Sequence, residues 1–478
     1  MRFLSKLSVN VVTVDAIYVS ATLSNCTTRF NENRARILKS YKMSLKKIKA
    51  RQIFDCRGEP TLEVDVITDV GLLRSSVPST VSINPNQAVE IRDGNMAAYH
   101  GRSVFKAIDI VNNVIAPQLL KSRLDVCQQT EIDALLNKLD GTDNKSRLGA
   151  NAILGVSVAC CKAGAAKKGL PVYRYIAELA ENGQLRVPVP SFSIISGGKY
   201  ASNNLTCQEF AILPIGAESF ADAMKMGTEV YRVAERKIIE TQEIQGPPAV
   251  SDKGAFVPTM EGDKDALTLL NDSIKDAGYE GKIKIALDMA ASAFYKEGGY
   301  DLAFKSEESD PADYLEAEAL RDQYLEYISE FPAIVSIEDP FDQEDWEGWL
   351  TIAGQDVQVV SDALTAMNAE RISEAMDKKM ANCLVLRISQ IGTVTELINC
   401  AKMAKINDWS YAVSASRAET EDNFIADLAV GLSAGQFKAG APCRGERMAK
   451  YNQVLRIEEE LSKDAKYAGL KYKDPPGK

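Results

Sequence analysis

The chain has 478 residues, 45% apolar and 26% charged, with a formal net charge of −10. Such proportions are ordinary for a globular protein of two domains, or of one small domain and a barrel. The acidic balance argues against nucleic-acid binding, which needs a basic face. No apolar run reaches the roughly 18 residues that a membrane-spanning helix requires.

Residues 1–42 differ from the rest. They hold seven Lys/Arg (Arg2, Lys6, Arg29, Arg34, Arg36, Lys39, Lys42) against two acids, Asp15 and Glu32. That composition is read as a disordered leader or as a mitochondrial presequence. Met43 opens MSLKKIKARQIFD, which looks like a natural start.

From residue 43 to 184 the pattern predicts an α+β domain. The runs IKARQIF, TLEVDVITD and LLRSSVP read as strands, punctuated by turn residues at 57–60 and 69–71. Apolar spacing predicts helices over 103–119 and 129–139, and a buried small-residue helix over 148–167. Three strands followed by helices make a cap domain.

From 185 to 478 short apolar runs alternate with amphipathic helices, for example over 312–328 and 368–380. This alternation predicts a (β/α)8 barrel. Nine scattered cysteines without a CxxC pair fit a reducing compartment, hence a cytoplasmic location, or a mitochondrial one if residues 1–42 direct it there. The vicinal pair Cys160–Cys161 reads as core packing.

The chain contains a single histidine, His100, outside the barrel segments, so no Ser-His-Asp triad or HExxH zinc site can be assembled. Acid–base chemistry falls to Lys, Glu, Asp, Tyr or water. Three barrel runs end in carboxylates: KIALD at Asp288, IVSIED just after Glu338 and VQVVSD at Asp362. A fourth, NCLVLR, ends at Arg387. The separations of 50, 24 and 25 residues suit strand-plus-helix units. Polar strand ends form the active face of such a barrel, and three carboxylates there suit a hard cation such as Mg²⁺. The alternative is a rim in which Arg387 or Lys253 neutralises them. An arginine is a permanent cation and cannot serve as the missing base.

The motifs DCRGEPT (55–61), DGTDNKSRLGANAILG (140–155), SIEDPF (336–341), ETED (419–422) and LRIEEEL (455–461) are long and specific. On them the chain resembles the enolase family, 2-phosphoglycerate dehydratases, from about residue 43 to about 469. The resemblance implies an enolase-type barrel behind an N-terminal α+β domain. It also implies a dimer and Mg²⁺-assisted proton abstraction from a phosphorylated carboxylate substrate. The first-metal ligands fall on Asp288, Glu338 and Asp362, and Ser82 matches a loop serine at a second metal. The substrate-side positions Gln208, Glu209 and Lys438 are retained.

Other positions depart from the family. The base position holds Arg387 and the general-acid position Lys253. The histidine of one substrate loop is Tyr200. The phosphate loop reads SASRAE, with Ser414, Ser416 and a displaced Arg417, and its histidine is Ala415. The closing loop carries Thr80, Val81 and Ile83 where the family has a glycine-containing sequence. These departures imply a degenerate or weakly active paralogue that pairs with itself or with an active enolase. The alternative is a working Mg²⁺-dependent enolase or related carboxylate lyase in glycolysis.

Overall fold

The computed structural model describes residues 45–477, residues 82 and 308 excepted. The leader read over 1–42 and the metal-ligand reading of Ser82 lie outside the described residues.

A three-stranded antiparallel sheet opens this part of the chain: β1 (Lys47–Phe54), β2 (Pro60–Thr68) and β3 (Gly71–Ser76). β2 is central and almost wholly buried, while β1 alternates exposed and buried residues, as a half-covered strand should. The turn between them is fixed by Asp55, whose Oδ1 accepts from the backbone N–H of Arg57 (2.8 Å) and Glu59 (3.1 Å). Helix Ala150–Lys168 packs across the sheet. Its Gly155 lies so close to Val64 that an added Cβ would come within 2.7 Å of that side chain. Cys160 and Cys161 are fully buried in this layer.

The predicted helix over 103–119 is three segments. Phe105–Asp109 and Ala116–Ser122 are α-helical, and Ile110–Ile115 between them is a π-helix. Pro117 accounts for the widened turn, since its nitrogen cannot donate to the carbonyl four residues back. The helix expected over 312–328 begins only at Ala317. Upstream, Leu315 exchanges backbone hydrogen bonds with Tyr300 (2.9 and 3.0 Å), which holds it extended.

The second sheet is a nearly closed barrel. Its strands are β4 (Val189–Pro190), β5 (Phe192–Ser196), β6 (Glu209–Leu213) and β7 (Lys284–Asp288), then, after a small hairpin of β8 (Tyr295–Lys296) and β9 (Gly299–Tyr300), β10 (Ile334–Glu338), β11 (Gln358–Ser361), β12 (Cys383–Leu386), β13 (Ser410–Ser414) and β14 (Gln436–Lys438). The spatial order is β4-β14-β13-β12-β11-β10-β7-β6-β5. β4 and β5 flank Ser191 in one run, so pairing β4 with β14 and β5 with β6 closes the circle.

One strand breaks the parallel pattern of a simple (β/α)8 barrel: β6 runs antiparallel to both β5 and β7. The consequence for the site is direct. The start of β6, not its end, lies at the rim where the other strands finish.

The two sheets are tied by buried polar contacts. Asp133 accepts from Ser157 Oγ (2.7 Å), and also from the backbone N–H (2.9 Å) and hydroxyl (2.6 Å) of Thr395 on the barrel side. Among the described residues no helix is long and apolar enough to cross a membrane.

Candidate active site

Strand register assembles the rim. Glu209 at the start of β6 lies opposite Asp288 at the end of β7, and Asp288 opposite Glu338 at the end of β10. Asp362 follows β11 and Arg387 follows β12, while Ser414 and Lys438 pair at the ends of β13 and β14. Glu209, Asp288, Glu338 and Lys438 line a small chamber inside the barrel mouth. A larger cavity of about 340 Å³ opens above it, lined among others by Lys199, Tyr200, Gln208, Lys253, Asp362, Arg387, Ser416 and Arg417.

Three cation–carboxylate pairs organise the buried floor. Lys253 Nζ donates to Glu209 Oε1, Lys438 Nζ to Glu338 Oε2, and Arg387 Nη2 to Asp362 Oδ2. Arg387 is further spent on the Ala415 carbonyl, to which Nη1 donates at 2.7 Å. Glu209 also accepts from Ser193 Oγ (2.7 Å), and Asp362 from Gln390 Nε2 (3.2 Å). Gln208 Nε2 donates to Asp288 Oδ2 at 3.2 Å.

The electrostatics follow from these pairings. Burial would raise the Glu209 carboxyl, but Lys253, Lys438 and Arg417 outweigh it and hold it well below the usual range. Asp362 is lowered likewise, Arg387 overcoming its burial. Burial lowers the Lys253 ammonium against the opposing pull of Glu209. Glu338 is pushed up to about 8 by burial and by the neighbouring Asp288 and Asp362, although Lys438 opposes this. Asp288 is raised by burial and by Glu209. Of these four acids, Glu209 and Asp362 are held ionised by their cations, while Asp288 and Glu338 are raised by burial and by neighbouring carboxylates.

The outer cavity is differently arranged. Arg417 stacks on the Tyr200 ring, 4.3 Å from its centroid, and pairs with Asp252 at 2.9 Å. Ser416 Oγ donates to the Ser79 carbonyl (2.7 Å), and Ser414 Oγ to the Ala415 carbonyl (3.3 Å). Ser414 is buried below the cavity wall and is not part of its lining. Lys199 is exposed at the edge.

Fit to a metal ion can be tested on the donor atoms. Among the described residues no three carboxylate, histidine or cysteine side chains close on one point, and Lys438 reaches both Glu338 and, at 4.0 Å, Asp288. Yet Asp288 Oδ1 and Glu338 Oε1 are buried with no hydrogen-bond partner. Two orphaned carboxylate oxygens are costly in a dry interior, and a hard divalent cation is the partner that oxygen donors of this kind suit. Asp288 and Glu338 thus each offer one oxygen without a partner, while both oxygens of Asp362 are engaged by Arg387 and Gln390.

The family description "Enolase, N-terminal domain" matches residues 45–176, and "Enolase, C-terminal TIM barrel domain" matches residues 184–475. The chain belongs to the enolase family. Its fold is that of an enolase N-terminal domain followed by an enolase barrel, as the motifs implied.

Against the enolase pattern, the structure brings Glu209, Asp288, Glu338, Asp362, Lys253, Arg387 and Lys438 together at one mouth. Of the two cations that the alternative reading offered to the strand-end trio, Arg387 meets it at Asp362, whereas Lys253 meets Glu209. The reversal of β6 explains this, because it carries Glu209 to the rim beside the loop that bears Lys253. Sequence reasoning passed over two residues. Asp339 follows Glu338 with φ 45°, a left-handed turn that aims its carboxylate at the N–H groups of Asp362 (2.9 Å) and Ala363 (2.9 Å). Only the SIEDPF motif hinted at it. Arg447 is wholly buried and donates to the carbonyls of Ser416 (2.6 Å), Arg417 (2.6 Å) and Asp252 (3.0 Å), fixing both loops of the outer cavity. No sequence pattern marked it.

Proposed function

We propose that this enolase-family protein binds a small phosphorylated carboxylate of the 2-phosphoglycerate type at the barrel mouth and dehydrates it weakly or not at all. The carrying observation is Arg387. Its guanidinium occupies the position of the proton-abstracting lysine and is committed to Asp362 and to the Ala415 carbonyl. A guanidinium does not release its proton in a protein, so it cannot accept one from carbon. Lys253, at the acid position, is bound to Glu209.

Asp288, Glu338 and Asp362 would hold Mg²⁺. The ion would supply positive charge beside a bound carboxylate and so acidify the adjacent carbon. Lys438 in the inner chamber and Arg417 in the outer cavity are the cations that a bound anion would meet, and Gln208 donates to Asp288. The scaffold motifs are intact while the substitutions gather at the mouth. This supports a degenerate paralogue that assembles with itself or with an active enolase.

The test is phosphoenolpyruvate formation from 2-phosphoglycerate with Mg²⁺. Turnover at least about a hundredfold below an ordinary enolase is expected, since loss of one general base alone typically costs 10²–10⁴-fold. Turnover within tenfold of an ordinary enolase would overturn the proposal. It would favour the second reading, an active Mg²⁺-dependent lyase, which the retained Asp288, Glu338, Asp362, Glu209 and Lys438 support.

A further inference from the structure

Among the described residues two lysines line the outer cavity. Lys199 is exposed at its edge, whereas Lys253 is buried to 7% exposure in the wall. The turn that carries Lys253 is fixed from several sides. Its carbonyl accepts from the Ala441 N–H (2.9 Å), and Gly254, with φ 82°, turns back to donate to the Ser251 carbonyl (2.9 Å). Tyr231 Oη donates to the Gly254 carbonyl at 2.7 Å. An amine is thus held on a rigid support at the wall of a cavity of about 340 Å³.

Its surroundings suit a nucleophile. Nζ donates to Glu209 Oε1, and Glu209 Oε2 is steadied by Ser193 Oγ at 2.7 Å. A group that can take a proton from the amine and return it therefore lies in direct contact. Burial lowers the Lys253 ammonium, and Arg417 and Arg387 lower it further, against the pull of Glu209. A lysine that is desolvated and set beside other cations is the kind that sheds its proton and attacks a carbonyl carbon. Arg417 lines the same cavity and gives an anionic substituent a partner.

We propose that Lys253 forms a Schiff base with a small ketone or aldehyde that bears a carboxylate or phosphate, and that Glu209 carries the protons. The Glu209 carboxylate takes a proton from the ammonium. The freed amine attacks the carbonyl carbon, forming the C–N bond as the C–O π bond breaks, and the oxygen takes the proton back from Glu209. A second proton then passes from nitrogen to Glu209 and on to the hydroxyl, which leaves as water while the nitrogen lone pair closes the C=N bond. Overall one ammonium and one carbonyl become one iminium ion and one water, with the charge conserved. The inference goes beyond the reading above: it uses no metal donor and no carbon–hydrogen cleavage.

The experiment is reductive trapping. The full chain is incubated with pyruvate or with dihydroxyacetone phosphate, treated with sodium borohydride, digested and mapped by mass spectrometry. One reduced adduct on Lys253 is expected from at least one of the two probes, at a yield at least tenfold above that of acetone, which lacks the anion. Lys253→Met should lose this adduct, with circular dichroism checking its fold. No adduct on Lys253 from either probe would overturn the proposal. So would labelling spread over exposed lysines such as Lys199, or equal labelling by acetone. Mapping the wild type decides the matter even if the variant does not fold. Calorimetric binding of 2-phosphoglycerate, measured separately, reports on the earlier reading, so the two can fail independently.

Discussion

Arg387 and Asp362 form a buried pair across adjacent barrel strands: the guanidinium Nη2 donates to Asp362 Oδ2 while Nη1 holds the Ala415 carbonyl at 2.7 Å. The pair joins the loops after β11, β12 and β13. It therefore makes a structural link out of a position that resemblance assigns to chemistry. Breaking a buried pair leaves an uncompensated charge, whereas removing both charges does not. Arg387→Ala should cost about 3–5 kcal/mol in denaturant unfolding, and Arg387→Ala/Asp362→Asn should recover most of it. A loss below about 1 kcal/mol in the single variant would show that the pair is not formed.

Restoring the chemistry should need both mouth substitutions at once. Arg387→Lys alone supplies an amine that can lose its proton, but Lys253 still occupies the acid position. A rise of less than tenfold in phosphoenolpyruvate formation is expected from Arg387→Lys. A much larger rise is expected from Arg387→Lys/Lys253→Glu, because groups acting in one reaction are non-additive. Equal rates for the two variants would refute a coupled loss of base and acid.

Arg417 is held by Asp252 at 2.9 Å and by the face of Tyr200. An incoming anion must compete with the Asp252 carboxylate for the same guanidinium. Asp252→Asn should therefore bind 2-phosphoglycerate several-fold more tightly by calorimetry, with the gain shrinking at high salt. Arg417→Ala should abolish that gain.

Asp427 provides a pH probe away from the mouth. Its carboxylate accepts from the backbone N–H of Tyr173 (3.2 Å) and from Gln453 Nε2 (3.1 Å), and burial pushes it up to about 6. A folded value above the ordinary 3.8 means that the folded state holds the proton more tightly. Its contribution is complete below about pH 4 and is lost as pH rises through about 6. Asp427→Asn removes this slope. Relative to wild type the variant should gain up to about 3 kcal/mol between pH 4 and pH 7, by unfolding in urea at each pH. A constant difference across that range would contradict a raised carboxyl.

Much of this protein is written locally. The alternation of IKARQIF and TLEVDVITD, the Asx turn at Asp55 and the strand-plus-helix spacing of Asp288, Glu338, Asp362 and Arg387 each follow from short-range stereochemistry. That is why the elements and the rim residues could be read in order. The same reading placed a continuous helix over 103–119 and extended another back to 312, because periodicity does not register the missing donor of Pro117 or the pairing of Leu315 with Tyr300.

The sequence by itself determined the enolase fold, the acidic strand ends and the presence of fixed cations where a base and an acid would stand. Only the tertiary structure decided who neutralises whom. Reversal of β6 brings Glu209 to Lys253, closure of the barrel brings Lys438 to Glu338, and the neighbouring β11 and β12 bring Asp362 to Arg387. The reason is physical: charge pairing in a dry interior depends on distances of a few ångströms, and those are set by strand direction and sheet closure between residues 25 to 100 positions apart.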